Sequence, residues 1–172
     1  MADRLLRTFR FRVQLRRSPE AEAGSAGTAS DSPEPGGDPL GDGAFQECSG
    51  LEVEMEVQDY QEGGRNDGVI QRAGRAKYVP IVLKRGMFHA EGGRANTDLW
   101  RWFQGAVSGT RPLARYDGTV EVMSEGEDVV ATWVFHRGLP ARLRGPQLNA
   151  QTGEIAIEEL HIAHEGLRLE ED

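Results

Sequence analysis

Cys48 is the only cysteine in the 172-residue sequence, so an intrachain disulfide and a thiolate metal cluster are both excluded. No run of 18 apolar residues occurs, and a helical membrane span or stable membrane insertion is not expected. The opening stretch, MADRLLRTFRFRVQL, is basic but has neither a continuous apolar segment nor a small-residue cleavage site. It does not read as a secretory signal, and folding in the cytoplasm is the expectation. Overall positive charge is lacking as well. The net charge is −8, divided as +5 over residues 1–17, −6 over 18–43 and −7 over the remainder. Phosphate contacts need a basic surface, so tight nucleic-acid binding fits this chain poorly.

Converging catalytic groups are also scarce. Ser49 sits in ECSGLE, without the GxSxG turn that exposes a serine nucleophile. GGRNDG and QRAGRAK contain neither a Walker-type loop nor a strand–GxGxxG–helix pattern. His161 and His164, three apart, fall on opposite faces of a strand and cannot jointly hold a metal unless a bulge intervenes. His89 and His136 stand alone. No catalytic residue, cofactor site or metal site is assigned, and the chain does not read as an enzyme.

What is present is a folded domain with a core, since 38% of residues are hydrophobic. Residues 18–43 are the exception, with six Gly, four Pro, four Ser and no aromatic residue. Such a stretch buries too little apolar area to offset its ordering entropy, so a disordered insertion between two strands is expected there. Strand alternation flanks it. Phe9, Phe11, Val13 and Leu15 face one way, with Arg10, Arg12, Gln14 and Arg16 on the other side. Leu51, Val53, Met55 and Val57 then alternate with Glu52, Glu54, Glu56 and Gln58. KYVPIVLKRG reads as a further strand, with Pro80 at an edge or a beginning. TVEVMS and VVATWVFHR, joined by EGED, read as a hairpin whose second strand is covered on both faces. In GEIAIEELHIAHEGLRL the apolar phase changes across Glu158 and Glu159, which predicts a β-bulge.

One helix is expected, in NTDLWRWFQGAVSG. Leu99, Trp102, Phe103, Ala106 and Val107 make one apolar stripe, Asn96 or Thr97 caps the start, and Gly109 ends it. Trp100 lies off the stripe and, if exposed, is an interface candidate. The elements add up to a single mainly β domain over residues 1–172, an antiparallel sandwich or small barrel with one flanking helix.

Two features stay open on residue chemistry alone. The stretch YQEGGRND, with its glycine pair among charges, is compatible with a bent hairpin, a docking surface or a phosphate cradle. The carboxylates of Glu52, Glu54 and Glu56 share one side of a strand, about 7 Å apart. That row is either a solvated face paired with Arg10, Arg12 and Arg16 on a neighbouring strand, or an acidic wall.

In order along the chain stand FRFRV, FQECSGLEVEMEV, DYQEGG, LKRG, TDLWRWF, ATWVFHRGLP and EELHIAHEGL. This succession resembles the tail tube proteins of contractile bacteriophages and contractile injection systems, with the haemolysin-coregulated tube proteins of type VI secretion as more distant relatives. The resemblance implies a hexameric ring whose sheets join into one continuous inner β-barrel. It implies stacked rings forming a tube, partnered by sheath, baseplate, spike and tube-terminating proteins, with DNA or an effector as cargo. Assembly in the cytoplasm would precede incorporation into a virion tail or a released injection particle.

For the open features, the resemblance implies an extended inter-subunit loop at about 59–77. Tyr60, Gly63, Gly64, Arg65 and Asn66 belong to it, as do Arg72, Arg75 and Lys77, which would meet acids on the next copy. It also puts Glu52, Glu54 and Glu56 towards the lumen. The insertion at 18–43 departs from the family pattern, which joins the first two strands by a short turn. Two alternatives stand beside this reading: a tube-initiating, baseplate-proximal paralogue making a single ring, and a stand-alone β-domain that binds a ligand.

Overall fold

A computed structural model describes residues 10–19, 39–40, 45–64, 68–89 and 93–170. Within them the chain runs β1 (Phe11–Arg17), β2 (Glu47–Ser49), β3 (Val53–Tyr60), β4 (Ile70–Tyr78), β5 (Ile81–Gly86), α1 (Asp98–Val107), β6 (Tyr116–Met123), β7 (Val129–Arg144), β8 (Ile157–Ala163) and β9 (Gly166–Leu169). The molecule is mainly β with one helix. All pairings are antiparallel, in the order β1-β6-β7-β8-β5-β2, with β9 also on β7.

The sixteen-residue β7 belongs to two sheets. Its first half pairs with β6 and β9, its second with β8. The bend between them falls at Arg137, whose φ is +54. Asp117 holds it, accepting from the Arg137 N–H at 2.8 Å and from the Ser18 hydroxyl at 2.5 Å. Folding the sheet over in this way encloses Val13, Leu15, Ile81, Leu83, Val120, Phe135, Leu160 and Ile162. The alternation of β1 and β5 is thereby explained, since every second side chain of each points into that core. Phe11 packs on its margin, and Phe9 lies outside the described residues.

Helix α1 closes one side of the core with Leu99 and Trp102. The Trp102 indole donates to the Ala114 carbonyl at 2.8 Å and meets the Tyr116 ring edge-on. Thr97 stands at the N-cap without a side-chain cap bond, and Asn96, one residue earlier, accepts from the Asp98 N–H through its Oδ1 at 3.0 Å. At the other end Gly109 takes φ +75, and the Gly109 and Thr110 N–H groups return to the Ala106 and Gly105 carbonyls, the pattern of a glycine-terminated helix. The stripe itself is shorter than its spacing suggests. Phe103 is half-buried, and Val107 is 74% exposed.

Three further expectations are corrected. No bulge interrupts β8 at Glu158 and Glu159, since its ladder to β5 is continuous from Ile157–Gly86 to Ile162–Ile81. The phase changes because Glu158 itself points inward, as a buried partner of Arg85. KYVPIVLKRG is not one strand. It divides at Val79 and Pro80, with Tyr78 closing β4 and Ile81 opening β5. In β7, burial on both faces holds only at Val134 and Phe135, while Val129 and Val130 are exposed.

Of the insertion at 18–43, residues 20–38 and 41–43 lie outside the described residues. Its edges dock on the body: Ser18 is buried, Pro39 bridges Arg16, and the Leu40 N–H donates to the Leu15 carbonyl at 2.9 Å with its side chain in the core.

Candidate assembly surface

β3 and β4 form a two-stranded sheet of their own. An isolated hairpin is marginal in water, because it has too little neighbouring surface to bury its side chains against. Here the shortfall is visible along its whole length, since every residue of β3 is exposed. Val53, Met55 and Val57 are 50%, 53% and 56% exposed, so beyond Leu51, which packs against the core, the apolar half of the most regular alternation in the sequence is left half-exposed.

Cross-strand register sorts the arm into two faces. Val53, Met55 and Val57 stand opposite Tyr78, Ala76 and Ala73, giving one apolar face. On the other face Glu54 opposes Lys77, Gln58 opposes Arg72 and Tyr60 opposes Ile70. The Arg72 guanidinium sits 4.0 Å above the Tyr60 ring centre, a cation–π contact. Glu56 lies in the register shift between Met55 and Val57, where the Glu56 carbonyl oxygen is 2.6 Å from where a Gly74 Cβ would stand. Arg75 faces that irregularity from β4.

The stretch at about 59–77 is therefore largely strand, with Arg72, Arg75 and Lys77 on β4 and Tyr60 ending β3. Gly63 and Gly64 turn at the tip, Gly64 with φ +91, while Arg65 and Asn66 lie outside the described residues. Glu54 and Glu56 do not pair with β1, whose neighbour is β6. Arg12 instead meets Glu121, Nε to Oε2 at 2.7 Å. Glu52 precedes the arm, and its carbonyl accepts from the Val79 N–H at 3.4 Å across the base. At that base Gly50 has φ +85 and lies so close under the Pro80 carbonyl that any Cβ would collide with it. No periodicity singles out Gly50. Its only sequence signal is a glycine just before a strand.

The body carries a second polar feature that alternation hides. Arg85 and Glu158, 2% and 1% exposed, pair Nε to Oε1 at 2.6 Å. The Trp100 indole donates to the other Glu158 oxygen at 3.0 Å, and an Arg85 N–H reaches Asn96 Oδ1 at 3.3 Å. Trp100 is thus half-buried against the body and not a free interface aromatic. Nearby, a hydrogen bond from His161 holds the Glu159 carboxyl below its ordinary range. Glu47 accepts from Lys84 at 2.8 Å and raises the Lys84 ammonium. Burial pushes the Cys48 thiol up to about 12, so it stays a thiol at neutral pH.

No group of three His, Cys, Asp or Glu side chains among the described residues is placed to hold a metal. A cleft of about 420 Å³ opens between α1 and residues 110–116, with Pro39 and Leu40 on its wall. Of its charged lining residues Arg17, Asp98 and Arg101, the last two pair with one another at 3.4 Å. No helix among the described residues is long and apolar enough to cross a membrane.

The fold is shared with chains of contractile machines. A chain of the anti-feeding prophage baseplate, six-fold symmetrised, superposes with a TM-score of 0.71 at 23% identity, covering 98% of this chain and 97% of that one. A chain of the PVC sheath–tube complex, from an extracellular contractile injection system in its extended state, gives 0.67 at 18% identity, covering 96% and 91%. A type six secretion system protein gives 0.50 at 9% identity, covering 93% and 83%. No curated protein matches the sequence. The family described as T4-like virus tail tube protein gp19 matches residues 7–168, nearly the whole chain. The chain therefore belongs to the contractile-tail tube protein family, and it is a structural protein, not an enzyme.

Proposed function

We propose that this protein builds the inner tube of a phage-like contractile injection system or tail, as six-membered rings whose sheets join around a channel. Rings stack, a sheath surrounds them, and contraction drives the tube through a target envelope with DNA or an effector inside. Assembly takes place in the cytoplasm, before the tube becomes part of a virion tail or a released particle. Baseplate and tube-terminating proteins cap its ends. The observation that carries this reading is the solitary β3–β4 arm, whose apolar row at Val53, Met55 and Val57 is left half-exposed in a chain that otherwise buries its core. A second copy supplies both the missing cover and partners for the strand edges.

The arm is the proposed subunit contact. Tyr60, Gly63 and Gly64 lie towards its tip, Arg65 and Asn66 are proposed to make contacts alongside them, and Arg72, Arg75 and Lys77 bring cations to the acids of an adjacent copy. The insertion at 18–43, whose edges at Ser18, Pro39 and Leu40 dock on the body, is proposed to point away from ring contacts. A single-ring, tube-initiating role is the second reading, favoured by the likeness to a baseplate chain. Negative-stain microscopy of the purified protein separates them: stacked tubes are expected, lone rings support the initiator, and monomers at high concentration refute both.

A further inference from the structure

The arm is fastened to the body by a histidine whose two ring nitrogens both face acceptors. His164 Nδ1 lies 2.9 Å from the Gly166 carbonyl oxygen, and Nε2 lies 3.0 Å from the Val79 carbonyl oxygen. A backbone carbonyl only accepts, and a neutral imidazole carries a single N–H. In the neutral ring one nitrogen lone pair would therefore point at an oxygen lone pair. Only the doubly protonated ring donates to both. Val79 is the residue between β4 and β5, so one of these bonds grips the arm where it leaves the body. The His164 ring also packs on Tyr78, the last residue of β4, at 5.3 Å between centres, and on Phe135 of the core at 5.6 Å.

We propose that His164 is a proton-operated latch: charged, it ties the base of the arm to the β8–β9 turn, and on losing a proton it releases one of the two carbonyls. The sign follows from the donors. Protonation favours the fastened arm, which holds on the acid side and loosens as pH rises.

The charged and titratable groups on the surrounding elements do not supply a competing switch. Glu165, next in the chain, is bound by Arg115 and Arg137, each at 2.9 Å. His136 of β7 lies beside Gly166, on the far side of the turn, and Tyr78 meets His164 through its ring. Glu52 reaches Val79 through its backbone. The latch itself stands on hydrogen-bond geometry alone. Only its consequence for ring assembly rests on the tube reading.

The arm carries its own reporter, because Arg72, Arg75 and Lys77 are trypsin sites on β4. Cleavage of the full chain is followed from about pH 6 to 8.5, each rate divided by that of an unstructured peptide at the same pH. The wild type and a His161→Gln control are expected to gain roughly tenfold in normalised arm cleavage across the range. His164→Gln, with an amide that can donate to only one of the carbonyls in this geometry, is expected to be cut fast and uniformly. A His164→Gln profile matching the wild type overturns the latch. Nitrogen-15 spectra of the wild-type ring do not depend on the variant folding. Two slowly exchanging ring N–H protons on His164 at the acid end support the latch, and one or none overturns it. A pH-dependent arm with no pH effect on ring formation leaves the latch standing and removes the arm from assembly.

Discussion

Glu158 is the residue at which the sequence pattern and the energetics part company. A carboxylate beside an apolar run reads as solvent-facing, yet this one is almost fully buried, paired with Arg85 and accepting from the Trp100 indole, while Arg85 also donates to Asn96. Taking one charge from a buried pair strands the other, at about 3–5 kcal/mol, whereas replacing both with apolar groups of similar volume is often close to neutral. Glu158→Gln is therefore expected to lower the melting temperature by roughly 10 °C, and Arg85→Met with Glu158→Leu to recover most of that loss. Thermal denaturation followed by circular dichroism checks both. Equal losses in the single and double replacements would show that the pair is ordinary surface charge.

At the scale of elements, legibility tracked how local the cause was. Helix α1 was readable in position and terminus because each signal lies within a few residues of what it governs: Asn96 at the Asp98 amide and Gly109 at the final carbonyls. β1 and the Ile81–Gly86 part of KYVPIVLKRG were readable because one face of each is buried by the chain itself. What escaped was set by distant partners. The inward turn of Glu158 depends on Arg85, and the docking of Leu40 depends on β1. The division of β7 between two sheets depends on Asp117 and Ser18. The arm is the instructive case, because its alternation is regular while its apolar side is left half-exposed. Amphipathic spacing says that a face will be covered and does not say by which molecule. Met55→Glu with Val57→Glu tests this directly. Both side chains are already half-exposed, so the monomer is expected to fold with little change in its circular dichroism, since surface substitutions usually shift stability within about 0.5 kcal/mol each. Light scattering should show loss of rings. Rings at wild-type concentration would mean that this face covers nothing.

For the whole molecule, the two faces of the arm constrain what a channel wall would be made of. If the face bearing Met55 and Val57 lies against another copy, the face bearing Glu54, Glu56, Arg72 and Lys77 is left for the channel. That wall is not uniformly acidic, because Glu54 stands opposite Lys77. Arg72 and Arg75 bring further cations, so Glu52, Glu54 and Glu56 would offset the positive charge of the arm around each ring, in a narrow passage whose low-dielectric walls concentrate the field. Polyanionic cargo would then be kept from sticking. Charge reversal is a poor probe, since lysine at 54 would oppose Lys77 and weaken the arm through like-charge contact. Neutral replacement avoids this. Tubes of Glu52→Gln, Glu54→Gln and Glu56→Gln combined are expected to retain several-fold more short DNA than wild-type tubes at low salt, with the difference shrinking as salt screens the wall. Co-sedimentation of labelled DNA with the tubes measures it. Identical retention at every salt concentration would place the carboxylate row outside the channel, and the apolar face of the arm would then have to be the one turned inward.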